Sequence, residues 1–390
     1  MKKQICILGG GFGGIYTALE LQKFIKQNSD YEIILIDQND HLLFTPLLYE
    51  LITDELEDWE IAPNFQKLLE NKPITFYQDI ITNIDLKNRK VLLKNKGTIN
   101  YDCLVLTVGR EVRLNELSGV KQYAFPFKTL KDVHNLKDKL TLLFNSDVDK
   151  IKVSIIGGGP SGVELAGKIA DKLNKRGQVH LITRDNRILR HFTNATRKSA
   201  INALNKRGVI ISLNTSIIEV NSDFITFKQG EETGIFPTDL VIWTTGTQAN
   251  KLINNLALCS QINQLISEAT LQLPEYPEVF AFGDVAQVID KNSIQVPATA
   301  QATYQQANLA AKNIIRFLRG KKLRKFSYLH LGEMLALGKN DSAITSFGFH
   351  LHGRFANIIR RLVYLERMPT FKHRFQVLLS WLKILKQKKK

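Results

Sequence analysis

Two stretches of the chain repeat one pattern of apolar and polar positions. Ile5–Leu8 is an unbroken apolar run, and Gly9–Gly14 follows as a turn. Ile15–Ile25 then carries helical periodicity through Leu19, Leu21 and Phe24, and Ile33–Ile36 is a β-branched run ending at Asp37. The same order returns over residues 151–183 as IKVSII, GGGPSG, VELAGKIADKL and VHLIT. Each copy predicts a strand–turn–helix–strand unit with strands buried on both faces. Between the copies, Thr75–Asp85 and Val91–Lys94 alternate as antiparallel strands do, and Tyr101–Val108 is a buried run closing on Gly109. The second half mirrors this, with Ile217–Val220 and Phe224–Phe227 as a strand pair and Asp239–Thr245 closing on Gly246. Val279–Phe282 is a further strand, leading through Gly283–Asp284 to a helix from about Thr299 to Leu318. After a basic hinge, Arg319–Lys325, two amphipathic stretches are separated by Pro369.

The glycine turns carry the first candidate chemistry. Gly9, Gly11 and Gly14 fit G-x-G-x-x-G between a strand and a helix. The first glycine permits the tight turn, the second lets backbone approach a pyrophosphate, and the third allows close helix–strand packing. Asp37 ends the next strand, where an acid can bond ribose hydroxyls. Gly157, Gly159 and Gly162 repeat the fingerprint, and two cradles call for two dinucleotides. A flavin in one and a nicotinamide in the other is the simplest assignment, because the cofactors then carry the redox chemistry. At the position equivalent to Asp37 the second copy has Thr183, followed by Arg184, with Arg187 and Arg190 close behind. A hydroxyl beside a guanidinium accepts a 2′-phosphate that a carboxylate would repel, so NADPH is expected over NADH.

Charge changes the picture only at one end. Of the net charge of +16, ten charges fall in residues 351–390, where eleven Lys/Arg face the single acid Glu366. Phe371, Phe375, Leu378, Leu379, Leu382 and Leu385 form one helical stripe there, with Trp381 and with Lys372, Arg374, Lys383 and Lys386 elsewhere on the helix. Lys388–Lys390 closes the chain. A shorter stripe, Phe355, Ile358, Ile359, Leu362 and Val363, precedes it beside Arg360 and Arg361. A basic amphipathic helix suits an anionic membrane surface; the competing cover is the chain's own domain or a second copy of it, as a homodimer. No nucleic-acid recognition module is visible. No apolar run reaches the about 18 residues of a spanning helix, and the strand at Gln4–Leu8 leaves no room for a leader ahead of it. Cys6, Cys103 and Cys259 form no CxxC, so they read as buried apolar residues in a reducing compartment, and no metal site is expected.

The sequence is also similar to the type II NAD(P)H:quinone oxidoreductases, single-subunit flavoenzymes of membrane surfaces. The resemblance rests on the two fingerprints, on His41–Tyr49 (HLLFTPLLY), on Thr107–Gly109 and Thr244–Gly246, on Val279–Asp284 (VFAFGD), and on Pro297–Gln306 (PATAQATYQQ). It implies an α/β fold with two Rossmann-like, three-layer (ββα) dinucleotide-binding domains. The FAD domain, 1–125 and 251–320, would be split by the NAD(P) domain, 126–250, and 321–390 would associate with the membrane. It implies that Gly9, Gly11, Gly14, Asp37, Gly109 and Asp284 bind FAD, with Ala300 and Gln301 facing the flavin ring. Gln301, Tyr304 and Gln305 would border the quinone, and Glu164 would stand near nicotinamide and flavin, so that Glu164 and Gln301 support catalysis. Thr183 departs from the acid of many members and points to the NADPH-preferring branch of cyanobacteria and plastids. Some members of that branch reduce demethylphylloquinone, which implies a naphthoquinone or plastoquinone acceptor and a peripheral place on the cytoplasmic face of a membrane, there a thylakoid.

Three other readings stay open on the residues alone. A sulfide:quinone oxidoreductase needs redox cysteines near the flavin, for which Cys6, Cys103 and Cys259 are badly placed. A ferredoxin or rubredoxin reductase would dock an acidic protein on the basic tail. A nucleotide-sensing flavoprotein would hold FAD without turnover.

Overall fold

The computed structural model describes residues 2–25, 30–114, 117–254, 256 and 264–387, without the side chains of 384–387. Cys259, Lys388–Lys390 and the side chains of Leu385 and Lys386 lie outside the described residues.

The two repeated units nucleate two parallel sheets. In the first, the order is Gln272–Leu273, Tyr276–Ala281, Cys103–Leu106, Lys3–Leu8, Tyr31–Asp37, Ile74–Gln78, parallel throughout except for the antiparallel edge Gln272–Leu273. In the second, the order is Ile210–Ser212, Gly177–Ile182, Ile151–Ile156, Leu240–Trp243, Ala124–Pro126, parallel throughout. Cys103–Leu106 and Leu240–Trp243 are apolar and buried at every position because both faces are covered. In Leu240–Trp243 the alternation sorts the faces. Val241 and Trp243 pack with Ile217, Val220, Ile225 and Phe227 of an antiparallel meander over 215–237, while Leu240 and Ile242 pack with the helices. A matching meander over 81–100 covers the first sheet through Ile84, Val91 and Leu93. The chain is α/β, and each sheet sits between helices and a three-stranded meander.

Several elements depart from the sequence reading. The first helix is Phe12–Leu21, not Ile15–Ile25. It begins inside the glycine turn, and at its end the amides of Lys23 and Phe24 donate to Glu20 and Leu21 in tight turns. Thr75–Asp85 is not one antiparallel strand: Ile74–Gln78 joins the parallel sheet, and Ile81–Asp85 starts the meander. Glu333–Gly338, Asp341–Ser346 and Phe349–Gly353 form an antiparallel sheet that the hydrophobic pattern did not reveal.

The tail also differs. Arg354–Arg367 and Phe371–Gln387 are helices as expected, but the stripe on the second is divided. His373 and Val377 are buried and Trp381 packs inward, its ring 5.7 Å from the Arg361 guanidinium carbon. Phe371, Phe375, Leu379 and Leu382 are exposed, and Leu378 is half-buried. Arg360, read as a flanking surface cation, is fully buried.

Candidate functional site: two dinucleotide cradles and a buried acid

The first cradle lies at the carboxyl edge of the first sheet, where ligands of open α/β sheets bind. Gly9 has φ +92°, and a Cβ on Gly14 would stand 1.8 Å from the Gly9 carbonyl oxygen, so only glycine lets the helix begin this close. A Cβ on Gly11 would meet nothing within 4 Å, leaving its backbone open to a ligand. Asp37 accepts from the Gly10 amide at 2.6 Å and the Asn39 amide at 2.8 Å. Burial pushes its carboxyl up, opposed by those bonds. Thr107 donates to the carbonyls of Leu8 and Gly9 at 2.9 and 3.1 Å, which fixes the turn before Gly109, itself at φ +67°. Tyr276–Ala281 pairs with Cys103–Leu106 and so delivers Gly283 and Asp284 to the same edge. Burial raises the Asp284 carboxyl, against the nearby charges of Lys128 and Arg110. Gly9, Gly11, Gly14, Asp37, Gly109 and Asp284, scattered over 276 positions of sequence, are thus brought to one edge, and they fit a bound FAD.

The second cradle repeats the first at the carboxyl edge of the second sheet. A Cβ on Gly162 would come within 1.9 Å of the Gly157 carbonyl oxygen, and Gly159 is open. Thr244 donates to Ile156 at 2.8 Å, as Thr107 does to Leu8. The difference lies at the end of Gly177–Ile182. Thr183 is buried against Gly158, whose added Cβ would meet its side chain at 2.9 Å. Its hydroxyl accepts only a long bond from the Asp185 amide, 3.3 Å. Arg184 and Arg187 are exposed beside it, and Arg190 lies 3.9 Å from Asp185. The two cradles are joined by the segment after Asp37. Phe44 packs on Phe12 of the first turn (ring centroids 5.2 Å), and the Tyr49 hydroxyl donates to Ser161 of the second turn at 3.1 Å.

Glu164 sits in the first turns of the second cradle's helix, Pro160–Leu173. It is buried and accepts from the Ala336 amide at 2.9 Å. Burial pushes its carboxyl up to about 7, opposed chiefly by Arg360. One turn further along the same helix, Lys168 is fully buried and donates to Glu50 at 2.6 Å and to Glu55. Arg360 donates to Glu50, and Arg361 to Glu55 at 2.9 Å. Burial alone would raise the Glu50 carboxyl, but Arg360, Lys168 and Arg361 hold it well below the usual range. The sequence reading missed this cluster. Its signal was Lys168 among Leu165, Ala166 and Ile169, a charge in a face that otherwise reads as core.

Helix Ala300–Leu318 starts on the cap Thr299, whose hydroxyl accepts from the Ala302 amide. Gln306 accepts from the Gly283 amide at 3.0 Å and seats the helix on the Asp284 turn. Ala300, Gln301, Tyr304 and Gln305 are half-buried on its first turns. The amides of the glutamines are engaged. Gln301 accepts from the Tyr328 hydroxyl and the Leu331 amide and donates to Gly332, while Gln305 exchanges bonds with the backbone of Leu329. Tyr304 makes no such bond among the described residues and stands between two cavities. One, of about 430 Å³, runs past Gln305, Asn308, Phe326, Leu329 and Arg367. The other, of about 250 Å³, lies by Tyr16, Leu19, Phe371 and Arg374. Arg367 covers the Tyr304 ring at 4.7 Å, and Tyr16 meets the same ring edge-on at 4.9 Å.

Residues 3–307 match the model of the pyridine nucleotide-disulphide oxidoreductase family. Over 387 residues the chain is 42% identical to the demethylphylloquinone reductase NdbB of Synechocystis sp., covering 98% of this chain and 96% of that one. The chain belongs to this family, in its type II NAD(P)H:quinone oxidoreductase branch. It is also 34% identical to the chloroplastic/mitochondrial alternative NAD(P)H-ubiquinone oxidoreductase C1 of Arabidopsis thaliana, over 97% of this chain and 80% of that one. The fold is that of NDH2 from Plasmodium falciparum solved with NADH, at a TM-score of 0.88, 20% identity and 98% coverage of both chains. FAD and NAD(P)H, the dinucleotides of this branch, match the two cradles in number and in shape.

Proposed function

We propose that the chain is an NADPH-preferring NAD(P)H:quinone oxidoreductase that reduces a naphthoquinone of the demethylphylloquinone class at a membrane surface. The observation that carries it is the pair of glycine cradles on two parallel sheets, bridged by Phe44 and Tyr49 and followed by a buried acid. When bound, FAD supplies the two-electron relay between a nicotinamide hydride and the quinone. Gly9, Gly11 and Gly14 admit the flavin nucleotide's pyrophosphate to the amides of the first helix, and Asp37 is placed for its ribose. Gly109 and Asp284 border the same cofactor, with Ala300 and Gln301 toward its ring. Gly157, Gly159 and Gly162 hold the nicotinamide dinucleotide in the same manner. Thr183 leaves room for a 2′-phosphate, and Arg184 supplies the charge.

Glu164 holds or releases a proton near pH 7, which suits a two-electron reduction that must also deliver protons. The quinone we place in the cavities beside Tyr304, within reach of the exposed tail. There Gln301 and Gln305 shape the wall by pinning residues 328–332, and the substrate meets Tyr304 and Arg367. The resemblance to the Synechocystis demethylphylloquinone reductase favours a naphthoquinone over a ubiquinone. Among the described residues no helix is long and apolar enough to cross a membrane. Phe355, Ile358, Leu362, Phe375 and Leu379 instead expose apolar surface on the two tail helices, which favours a peripheral place on a membrane; the cytoplasmic face, and a thylakoid for this branch, rest on the family resemblance alone.

Anaerobic titration tests the reading. NADPH should bleach the flavin at lower concentration than NADH, and added naphthoquinone should restore its colour. In Thr183→Glu the preference should swing toward NADH by about tenfold or more, the weight of one charge-assisted contact. Bleaching without reoxidation by quinone would move the assignment to a protein acceptor such as a ferredoxin, and no bleaching would leave a nucleotide-sensing flavoprotein.

A further inference from the structure

A third cavity, of about 420 Å³, lies between the end of helix Asn194–Lys206, the turn at 338–341 and the start of helix Arg354–Arg367. Lys206, Arg207, Lys339 and Arg354 line it together with His352, against the single carboxylate of Asp341. That carboxylate is already engaged. Arg207 bonds Asp341 at 3.1 Å and Asp171 at 2.9 Å, and Asp171 also accepts from the Lys339 amide. The side chains of Lys206, Lys339 and Arg354 make no hydrogen bond or ion pair among the described residues. The floor is fixed as well. Gly338 has φ +149°, and a Cβ there would meet the Arg207 guanidinium at 2.3 Å and the Asp171 carboxylate at 2.4 Å. Helix Arg354–Arg367 opens on Gly353 with no side chain capping its first amides. Its positive end is therefore available to an anion, beside three uncompensated cations.

The cavity's place in the fold says which anion. His352, Gly353 and Arg354 lie in the chain between Leu351 and Phe355, both exposed, and Phe349 and Ile358 are also exposed, on the strand and the helix that meet there. We propose that this cavity binds the phosphate of an anionic lipid headgroup, holding the end of the apolar face at the membrane interface. The proposal rests on the membrane-docking reading given above. It adds a defined headgroup site to what would otherwise be diffuse attraction between a basic tail and the surface.

The test is sedimentation of the holoenzyme with phosphatidylcholine vesicles, with and without phosphatidylglycerol, at constant ionic strength. Wild type should partition more strongly once phosphatidylglycerol is present, by about tenfold or more for three basic groups at the surface. Lys206→Gln/Lys339→Gln/Arg354→Gln should lose most of that gain and keep its binding to neutral vesicles. NADPH oxidation with a water-soluble quinone should be unchanged, which shows that the variant is folded. Lys87→Gln/Lys90→Gln/Lys94→Gln, on the 81–100 meander, removes the same charge elsewhere and should keep the gain. Equal gain in wild type and the first variant, or equal loss in both variants, overturns the site while leaving docking intact. If wild type ignores both kinds of vesicle, the docking reading fails and the lipid site fails with it. If inorganic phosphate binds the wild type but not the first variant in calorimetry without vesicles, and the gain persists at saturating phosphate, the cavity takes free phosphate and the lipid assignment is overturned.

Discussion

Glu164, buried, and Asp37, half-buried, are both acids beside a glycine turn, yet their surroundings set them apart. Asp37 is bonded by two amides and Asn39, and these oppose the upward push of burial on its carboxyl. Glu164 accepts one amide and is pushed up to about 7 by burial. An acid raised in the folded state binds more protons than its unfolded counterpart between about pH 4.5 and 7. Its contribution to stability is therefore full below that window and is lost as pH rises through 7. Glu164→Gln keeps an acceptor for Ala336 without the charge. The variant is expected to melt at or above wild type at pH 8, by about 1–3 kcal/mol, with the gap closing toward pH 5. Wild type should show a break near pH 7 in kcat with soluble quinone, and that break should disappear from the same variant. A profile unchanged in Glu164→Gln would remove this acid from the proton inventory of the reaction.

At the scale of elements, the buried cluster ties three pieces of chain that are distant in sequence. Glu50 belongs to the turn Thr45–Leu51, Lys168 to the second cradle's helix, and Arg360 to the first tail helix. The sheet at 333–353 closes the same contact. Its first strand lies so near the cradle helix that a Cβ on Gly167 would meet the Leu337 carbonyl oxygen at 2.3 Å. Removing one member of a buried ion cluster strands the others away from water. Arg360→Met should lower stability by about 3–5 kcal/mol, and Glu50→Gln/Arg360→Met should recover part of that loss. Thermal melts followed by circular dichroism check the pair; additive losses would mean that the two side chains do not act as a unit.

Over the whole molecule, the +16 net charge is put to two different uses. Arg360 and Arg361 turn inward to Glu50 and Glu55, while Lys206, Lys339, Arg354 and Lys383 remain exposed. The apolar residues of the tail divide in the same way, Val377 inward and Phe355, Ile358 and Leu379 outward. Phe355→Ser/Ile358→Ser/Leu379→Ser should abolish binding to neutral vesicles and spare NADPH oxidation with soluble quinone. Wild type that sediments as a dimer without lipid, with this variant monomeric, would show instead that a second copy covers the face.

What the sequence determined by itself is whatever a local pattern encodes. Both glycine turns and the buried strands leading into them were legible because a tight turn requires glycine and a strand covered on both faces is largely apolar. The cap at Thr299 and the helix after it were legible for the same local reason. Tertiary structure decided what depends on partners far along the chain. Gly109 reaches the first cradle because Cys103–Leu106 pairs with Lys3–Leu8, and Asp284 because Tyr276–Ala281 pairs with Cys103–Leu106. Arg360, in a sequence that reads as a basic amphipathic surface, is buried because Glu50 waits for it 310 positions earlier. The strands at 333–346 escaped notice because the helices packed against them, Pro160–Leu173, Asn194–Lys206 and Arg354–Arg367, meet them only once the chain is folded. Periodicity reports a residue's neighbours along its own element; which charge is paired and which apolar face is covered depends on elements that meet only in three dimensions.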